Sequence, residues 1–392
     1  MEFDFLVVGA GIAGVSLADA LAPTSSVALI EAEQQPGYHT TGRSAALFVP
    51  SYATATFRAL ARASAPFLYS PPRAYFPGPL LHARGALYVA RSDQSQEFTA
   101  TVEELRAGGG DVEVLSVDGA CRRLPLLRRH YLGAAAYEAD VADIDVGALL
   151  QGLLKRAKAR GVRVHVGARL ATATRSRGAW QFEVGDEPLC AHILVNAAGA
   201  WADEVAVACG VAPLGLRPLR RTAALIDPPP GVAVGGWPVL FDVGEQFYLK
   251  PETGRLLISP ADEEPMAPGD AYAEDLTVAV AVDRIQQALD IDVRRVAHQW
   301  AGLRTFAPDR NPVIGFDPRV AGFFWCAGQG GCGIESSPAL ARLAAALARG
   351  EAIPADIAAQ GVSARSVSPA RFTPAAAPSA SAQTAAPSAY PS

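Results

Sequence analysis

A glycine-rich turn between an apolar run and a helical run is the feature that most constrains the fold of this chain. The apolar residues 5–8 predict a buried strand, and residues 15–21 predict a helix. A second apolar run, residues 27–30, ends on an acidic side chain. This order predicts a β-α-β unit that binds a dinucleotide. Its candidate ligand contacts are Gly9, Gly11, Ile12, Ala13, Gly14 and Glu31.

Each glycine of this Gly-x-Gly-x-x-Gly motif, and the acid that follows it, has a physical role. Gly9 permits the tight turn, and Gly11 lets the backbone approach a pyrophosphate at the positive end of the helix. Gly14 lets the helix and the strand pack closely, while Glu31 can accept hydrogen bonds from ribose hydroxyls. The motif predicts a dinucleotide but does not distinguish FAD from NAD.

The residues that follow the acid favour FAD. The segment 41–46, Thr-Gly-Arg-Ser-Ala-Ala, resembles the flavin-contacting segment of the D-amino acid oxidase superfamily of FAD enzymes. Within that superfamily, the D-arginine dehydrogenases are the most similar group, over residues 4–362. The resemblance implies FAD, which we expect to be bound non-covalently. It also implies flavin contacts at Thr41, Gly42, Arg43, Ser44, Ala45 and Ala46.

Two later stretches also resemble flavin-contacting motifs of this superfamily. Residues 193–201 form an apolar run that breaks at a turn of small residues, and residues 328–334 form a glycine-dense turn. A helix predicted from Pro338 follows the second turn, and its N-terminus could stabilise negative charge on a reduced flavin. The contacts implied by these stretches are Ala198, Gly199, Trp201, Gln329, Gly330, Gly331, Gly333 and Ile334.

The resemblance further implies a substrate site. Arg304 matches the arginine that binds the substrate carboxylate, and we expect Arg221, rather than its neighbour Arg220, to be the second. A guanidinium suits this role because its planar fork donates two parallel hydrogen bonds and keeps its charge. Tyr248 and Tyr52 match two tyrosines that contact the substrate.

Two departures from the family pattern bear on the substrate. Leu47 stands where the relatives have a histidine near the substrate amine, and Ala86 stands where a glutamate pairs with a cationic side chain. We therefore expect oxidative deamination of D-amino acids with apolar or small side chains rather than basic ones. Hydride transfer from Cα to the flavin and hydrolysis of the imine would yield a 2-oxo acid and ammonia.

Other functions remain open at this point. The same arginines would serve a 2-hydroxy acid, or a secondary, N-methylated or small amino acid such as proline, sarcosine or glycine. The chain could also be the flavin subunit of a hetero-oligomeric dehydrogenase. The electron acceptor could be a quinone, a dye-like acceptor or oxygen, so the sequence does not separate an oxidase from a dehydrogenase.

Composition narrows the class of protein. Half of the residues are hydrophobic and 19% are charged, which allows a sizeable core. The net charge of −5 and the lack of a basic stripe argue against a nucleic-acid partner. No apolar run is long enough for an integral membrane segment, and no leader precedes the first strand, so we expect a cytoplasmic protein. The five cysteines show no metal-binding spacing.

The expected fold class is α/β with an α+β second lobe. We expect a Rossmann-like FAD-binding domain of the glutathione-reductase type, interleaved with a substrate domain built on an antiparallel sheet. The FAD-binding domain is predicted to comprise residues 1–46, 141–212 and 300–362, and the substrate domain residues 47–140 and 213–299. Residues 363–392, rich in Ala, Pro and Ser, are predicted to be a disordered tail.

Overall fold

The structure, a computed structural model, describes residues 1–184 and 187–372. It contains an eight-stranded, a nine-stranded and a three-stranded sheet, with helices packed around them. The predicted α/β class with a second, largely antiparallel lobe is therefore confirmed. The prediction for residues 373–392 lies outside the described part of the chain.

The strands are numbered in chain order. They are β1 (Glu2–Val8), β2 (Val27–Ile30), β3 (Leu47–Phe48), β4 (Leu81–Ala83), β5 (Ala86–Ala90), β6 (Val112–Leu115), β7 (Ala134–Glu138), β8 (Ala142–Ile144), β9 (Arg163–His165), β10 (Thr174–Ser176), β11 (Ala179–Val184), β12 (Glu187–Asn196), β13 (Arg217–Ile226), β14 (Val239–Asp242), β15 (Tyr248–Glu252), β16 (Arg255–Ser259), β17 (Glu264–Pro265), β18 (Val296–Phe306), β19 (Val313–Phe316) and β20 (Phe323–Ala327).

The helices are numbered in the same way, and short 3₁₀ turns lie at Thr41–Arg43, Gly199–Trp201 and Pro369–Phe372. The α-helices are α1 (Ile12–Leu21), α2 (Ala55–Tyr69), α3 (Ser95–Ala107), α4 (Val117–Arg123), α5 (Val146–Ala159), α6 (Ala202–Ala208), α7 (Asp275–Ala288), α8 (Gly333–Ala348), α9 (Ala355–Ala359) and α10 (Ala364–Val367).

The eight-stranded sheet has a parallel centre. Strands β20, β12, β1, β2 and β9 run side by side in the same direction, with β19 and the β10–β11 hairpin antiparallel at the edges. The last four residues of β1 are buried, which fits their unbroken apolar run because helices and strands cover both faces of a parallel sheet. The carboxyl ends of β1, β2, β9 and β12 therefore meet at one edge, where α/β sheets bind ligands.

The nine-stranded sheet forms the second lobe. Its strand order is β17-β13-β16-β15-β14-β5-β7-β6, with β18 paired along almost the whole length of β13. All neighbours are antiparallel except β14 and β5. Alternate residues of each strand point to the same face, so one face of this sheet can present a row of side chains to a ligand.

The segment between Thr40 and Ala45 joins the two lobes. Thr40 Oγ1 donates to the carbonyl of Leu303 at 2.6 Å, and Nε1 of Trp300 donates to the carbonyl of Arg43 at 2.9 Å. The buried Lys250 Nζ donates to the carbonyl of Ala45 at 3.0 Å. This segment is thereby fixed against β18 and β15, beside the glycine-rich turn. Within the described residues, no helix has both the length and the apolar character required to cross a membrane.

Three predicted boundaries need correction. The domain boundary at residue 300 falls inside β18, which pairs with β13 in the second lobe along nearly its whole length. The tail predicted from residue 363 is wrong for residues 363–372, because α10 and the following turn pack on the body, with Val367 fully buried. Helix α8 begins at Gly333 rather than Pro338. The proline lies inside the helix, and the carbonyl of Ile334, which its missing N–H leaves free, accepts from Oγ of Ser337 at 2.9 Å instead.

Candidate active site

A cavity of about 460 Å³ lies between the two large sheets. One wall consists of the glycine-rich turn, the ends of β2 and β12 and the turn before α8. The other consists of residues from β13, β15 and β18. The predicted residues that line it are Gly9, Gly11, Ile12, Ala13, Glu31, Thr41, Arg43, Ser44, Ala45, Ala198, Gly199, Trp201, Arg221, Tyr248, Arg304, Gln329, Gly330, Gly331, Gly333 and Ile334. The predicted residues that do not line it are Gly14, Gly42, Ala46 and Tyr52.

The glycine-rich turn is too tightly packed for side chains. A Cβ on Gly9, whose φ is +100°, would lie 2.6 Å from the carbonyl oxygen of Ala197. A Cβ on Gly14 would lie 1.8 Å from the carbonyl oxygen of Gly9. Gly14 therefore acts by letting α1 approach the turn, and it need not touch a ligand itself.

The first turn of α1 presents backbone donors to the cavity. The amide of Ile12 donates to Oγ1 of Thr41 at 3.0 Å. Among the described residues, the amides of Gly11 and Ala13 have no acceptor. Unsatisfied N–H groups at a helix N-terminus form a site for an anion such as a pyrophosphate.

Glu31 is held in place at the end of β2. Its Oε2 accepts from the amide of Ala10 at 2.7 Å, and its Oε1 accepts from the amide of Glu33 at 2.9 Å. Each carboxylate oxygen has a further lone pair, so the group can still accept from ribose hydroxyls. Beside it, His39 pairs with Glu33 at 3.0 Å, and its ring lies 4.5 Å from that of Trp201.

The guanidinium of Arg43 has a structural role, because its N–H groups are already bonded within the protein. Its guanidinium pairs with Asp270 and donates to the carbonyls of Ala271 and Ala301 at 2.9 and 3.0 Å. Arg43 also lines the cavity. We therefore assign Arg43 to holding the predicted flavin segment against β18.

The strand register brings the two predicted carboxylate-binding arginines together. Arg221 on β13 lies opposite Gly302 on β18, and Leu219 lies opposite Arg304. Because residues opposite each other in an antiparallel pair point to the same side, Arg221 and Arg304 are diagonal neighbours on one face. Ala223 and Trp300 form the next pair on that face.

Arg220 points to the opposite face. It is buried and pairs with Glu264 at 2.7 Å, with Glu274, and with Asp262 at 3.7 Å. It does not line the cavity. Three carboxylates already surround this guanidinium, so it has no capacity for a substrate carboxylate.

Within the described part of the chain, the guanidinium of Arg304 is uncommitted in the cavity. Over residues 1–184 and 187–372, no hydrogen bond or ion pair is formed by its guanidinium. Arg221 has one partner, Glu263, at 3.1 Å, and its Nε is buried without an acceptor in the described structure. Burial and the nearby charge of Arg304 lower the pKa of Arg221. This pair of guanidinium groups would be stabilised by an added carboxylate.

The two predicted tyrosines differ in position. Tyr248 is buried on β15 and packs against Ala223 on the arginine-bearing face. Tyr52 is 50% exposed. Even so, burial raises the pKa of the Tyr52 hydroxyl to about 12, with help from Glu245 and against the charges of Arg304 and Arg221. The hydroxyl is thus within electrostatic reach of both arginines, although half of the side chain faces solvent.

Aromatic residues continue the same face beyond Tyr248. The Phe241 ring lies 6.1 Å from that of Tyr248 and 5.4 Å from that of Tyr88, which it stacks on. Tyr88 donates to the buried Glu138 at 2.9 Å, and burial raises the pKa of that carboxyl. The register places Glu138 directly opposite Ala86.

The two departures from the family pattern, at positions 47 and 86, both lie in apolar surroundings. Ala86 is fully buried in β5, and Leu47 packs against the same apolar cluster. Neither lines the cavity. Glu138 supplies a carboxyl next to Ala86 that sequence reasoning missed, because the pairing of β5 with β7 brings together residues far apart in the chain.

Another missed group is Glu335 in the first turn of α8. Its carboxyl is buried, accepts from the amide of Val49 at 2.9 Å and lies beside the thiol of Cys332. Burial raises the pKa of Glu335 to about 8, against these hydrogen bonds. No local pattern indicated its burial. By contrast, cavity residues 168–171 follow β9, and the rule that ligands lie at the carboxyl ends of parallel strands could have found them.

Comparison with known proteins agrees with this geometry. Residues 4–347 match the DAO family model, described as FAD dependent oxidoreductase. The chain belongs to this family. FAD is therefore its cofactor, and the glycine-rich turn, the free amides of α1 and the carboxylate of Glu31 fit a dinucleotide.

Among individual proteins, the uncharacterized oxidoreductase YurR of Bacillus subtilis is 24% identical over 90% of this chain and 96% of YurR. A D-amino acid dehydrogenase of Rhizobium johnstonii is 27% identical, over 66% of this chain and 62% of that enzyme. The crystal structure of glycine oxidase from Geobacillus kaustophilus superposes with a TM-score of 0.79 at 21% identity, over 90% of this chain and 95% of that one. At this identity the superposition shows a shared fold. The narrower resemblance to D-arginine dehydrogenases stays a prediction.

Proposed function

We propose that this FAD-dependent oxidoreductase oxidises an amino acid at its Cα–N bond, with the carboxylate held by Arg304 and Arg221. The observation that carries the proposal is the arginine pair on one sheet face, where Arg304 lacks any acceptor among the described residues. A carboxylate bound across both groups would be fixed in position and orientation.

The cavity residues have separate roles in the proposed reaction. Arg304 and Arg221 bind the carboxylate, and the buried Tyr248 is positioned to hydrogen-bond it. FAD, when bound, supplies the two-electron acceptor for the hydride that leaves Cα. His39 is the one histidine among the described residues lining the cavity, and it pairs with Glu33 beside Trp201. The substrate amine must therefore lose its proton to solvent before oxidation, and water then hydrolyses the imine to a 2-oxo acid and ammonia.

The side-chain preference follows from the far end of the same face. Phe241 and Tyr88 stack there behind the cavity lining, and Leu47 packs against the same cluster, so the wall beyond Tyr248 is backed by apolar and aromatic side chains. Its buried carboxyl, Glu138, accepts from Tyr88 and does not line the cavity, so it is not placed to pair with a basic side chain of a bound substrate. We infer a preference for D-amino acids with apolar or small side chains. The D-amino acid dehydrogenase and glycine oxidase among the similar proteins support amino-acid chemistry.

A second candidate substrate class is a 2-hydroxy acid or a secondary amino acid such as sarcosine or proline. It is favoured by Leu47, which stands where the resemblance places a histidine near the substrate amine, so that no primary amine is required at this position. The carboxylate would bind in the same way.

The test is anaerobic bleaching of the flavin by single compounds. The panel contains D- and L-amino acids with apolar, small and basic side chains, together with glycine, sarcosine, proline and 2-hydroxy acids. The proposal expects the fastest bleaching with apolar D-amino acids. Bleaching by 2-hydroxy acids or secondary amino acids alone would select the second candidate. No bleaching by any carboxylate compound would reject both and favour a flavin subunit that requires a partner chain.

A matched pair of variants tests the role of the arginine. Arg304→Lys keeps the charge but loses the planar fork, and we expect the KM to rise by about 10-fold or more. Arg294→Lys changes an 87% exposed side chain and should leave the KM unchanged. Equal effects of the two substitutions would contradict the proposed carboxylate site.

The mode of flavin attachment has its own test. Neither Cys326 nor Cys332 lines the cavity, and both thiols are buried. Acid precipitation of the holoenzyme should therefore release the yellow colour into the supernatant. Colour retained in the pellet would indicate a covalent bond.

A further inference from the structure

A carboxylate of the protein itself contacts one of the two substrate-binding arginines. Oε1 of Glu263 accepts from Nη2 of Arg221 at 3.1 Å and from Nη2 of Arg310 at 2.9 Å. Its Oε2 accepts from the same Arg310 nitrogen at 3.1 Å. Arg221 lines the cavity, whereas Glu263 and Arg310 lie outside it. Glu263 therefore engages a donor that the proposed function assigns to the substrate.

The positive charge of Arg221 is only partly neutralised by its surroundings. Its side chain is 13% exposed, its Nε is buried with no acceptor in the described residues, and its positive neighbour is Arg304. A guanidinium in such a place is destabilised unless carboxylates surround it. One shared oxygen of Glu263 satisfies it only in part.

Arg310 is a second ion-pair partner for Glu263. Arg310 is 50% exposed, and its guanidinium lies 3.8 Å from the centre of the Phe306 ring, which fixes its plane. Burial opposes ionisation of Glu263, but Arg310 and then Arg221 lower its pKa below the ordinary value. Glu263 thus stays ionised at neutral pH, and it can release Arg221 while keeping both of its contacts with Arg310.

We propose that Glu263 is an exchangeable counter-ion that competes with the substrate carboxylate for Arg221, and that Arg310 retains Glu263 when the substrate binds. This inference rests on the proposed function, since it requires a carboxylate ligand at Arg221 and Arg304. Glu263 then raises the Kd for any carboxylate that binds Arg221 alone. A ligand that also pairs with Arg304 gains enough to displace Glu263 from Arg221. The pair Glu263–Arg310, beside the cavity, therefore favours ligands that contact both arginines over ligands that contact only Arg221.

The experiment is a titration of the FAD-loaded enzyme with 4-methylpentanoate, followed by the change in flavin absorbance. This probe keeps a carboxylate and an apolar chain but has no amine to oxidise. Glu263→Gln should lower the Kd about fivefold, and Arg310→Met should raise it by a similar factor, because Glu263 then has no partner except Arg221. With amino acid substrates, the changes should appear in KM rather than kcat.

The double variant separates competition from the general effect of charge. If Arg310 acts only through Glu263, Arg310→Met has no effect in the Glu263→Gln background. If the two substitutions are additive, the charges act independently and the inference is overturned. Glu264→Gln is the matched control, because the adjacent Glu264 is exposed and pairs with Arg220 on the other face. A decrease in Kd for Glu264→Gln equal to that for Glu263→Gln would also overturn it.

The outcome distinguishes this inference from the proposal on which it rests. If wild-type protein binds the carboxylate and Arg304→Lys weakens that binding, the site stands. An unchanged Kd in Glu263→Gln would then reject only the competition. If the wild-type flavin spectrum does not respond to 4-methylpentanoate and no amino acid bleaches it, the proposed function fails and the competition fails with it.

Discussion

Gly331 lies directly against the guanidinium of Arg304. A Cβ on Gly331 would lie 3.3 Å from Nη1 and 3.4 Å from Cζ of that arginine. The glycine-dense turn before α8 therefore does more than approach the cofactor, because it also leaves room for the side chain proposed to bind the substrate. The two predicted motifs, far apart in the sequence, meet at this contact.

The first prediction concerns Gly331→Ala. The added methyl group is tighter than an ordinary contact with Arg304, and the flexible side chain can move away from it. We expect the KM to rise about fivefold, equivalent to about 1 kcal/mol, while the FAD content stays the same. Steady-state kinetics and flavin absorbance measure both quantities. Gly236→Ala is the control, since nothing lies within 4 Å of its added Cβ; an equal change in KM there would refute the explanation.

The second prediction concerns the glycine-rich turn. In Gly14→Ala, the new Cβ would lie 1.8 Å from the backbone oxygen of Gly9, so α1 must move away from the turn. We expect loss of most bound FAD and a destabilisation of about 3 kcal/mol or more. The FAD-to-protein ratio and the Tm test this expectation. Gly78→Ala, which meets no atom within 4 Å, should retain both; a Gly14→Ala protein with full FAD content would contradict the packing argument.

The third prediction concerns the pH dependence of stability. Burial raises the pKa of Glu335 to about 8 from an ordinary value of 4.5, so the folded protein holds a proton that the unfolded chain releases. The stability linked to this group is fully present below pH 4.5 and is lost as the pH rises through 8. Because one pKa unit corresponds to about 1.4 kcal/mol, the change should amount to several kcal/mol, at most about 5 kcal/mol.

Glu335→Gln tests the sign of this effect. The glutamine can still accept from the amide of Val49 but cannot ionise. Between pH 5 and pH 8.5, the Tm of the wild-type holoenzyme should therefore fall more than that of the variant. Parallel Tm profiles would show that Glu335 does not hold a proton in the folded state.

The fourth prediction concerns the buried carboxyl beside Ala86. If Glu138 is not a counter-ion for a substrate side chain, Glu138→Gln should leave the ratio of kcat/KM for D-leucine to that for D-arginine within about twofold. Glutamate and glutamine at position 138 can both accept a hydrogen bond from the hydroxyl of Tyr88. A selective loss of D-arginine oxidation would mean that Glu138 replaces the missing acid, and the inferred preference for apolar substrates would be wrong.

Local sequence patterns account for much of the fold. The β-α-β unit was predictable because glycine spacing and apolar runs act within a few residues of one another. The packing of residues 363–372 was not: they look like part of an Ala/Pro/Ser-rich tail, but Val367 enters the main core. The start of α8 was also missed, because a proline in the first turns of a helix does not mark where the helix begins.

The candidate site divides in the same way. The sequence by itself determined the dinucleotide turn, the acid after β2 and, through resemblance, the residues expected around the flavin and the substrate, since these are carried by short contiguous motifs. Only the tertiary structure decided which arginine faces the cavity. The register between β13 and β18 points Arg221 towards Arg304, while Arg220, one residue away, is neutralised by acids on the other face. Glu263, Glu138 and Glu335 likewise acquire their surroundings from strand pairing and helix packing across long stretches of chain, and no local pattern carries that information.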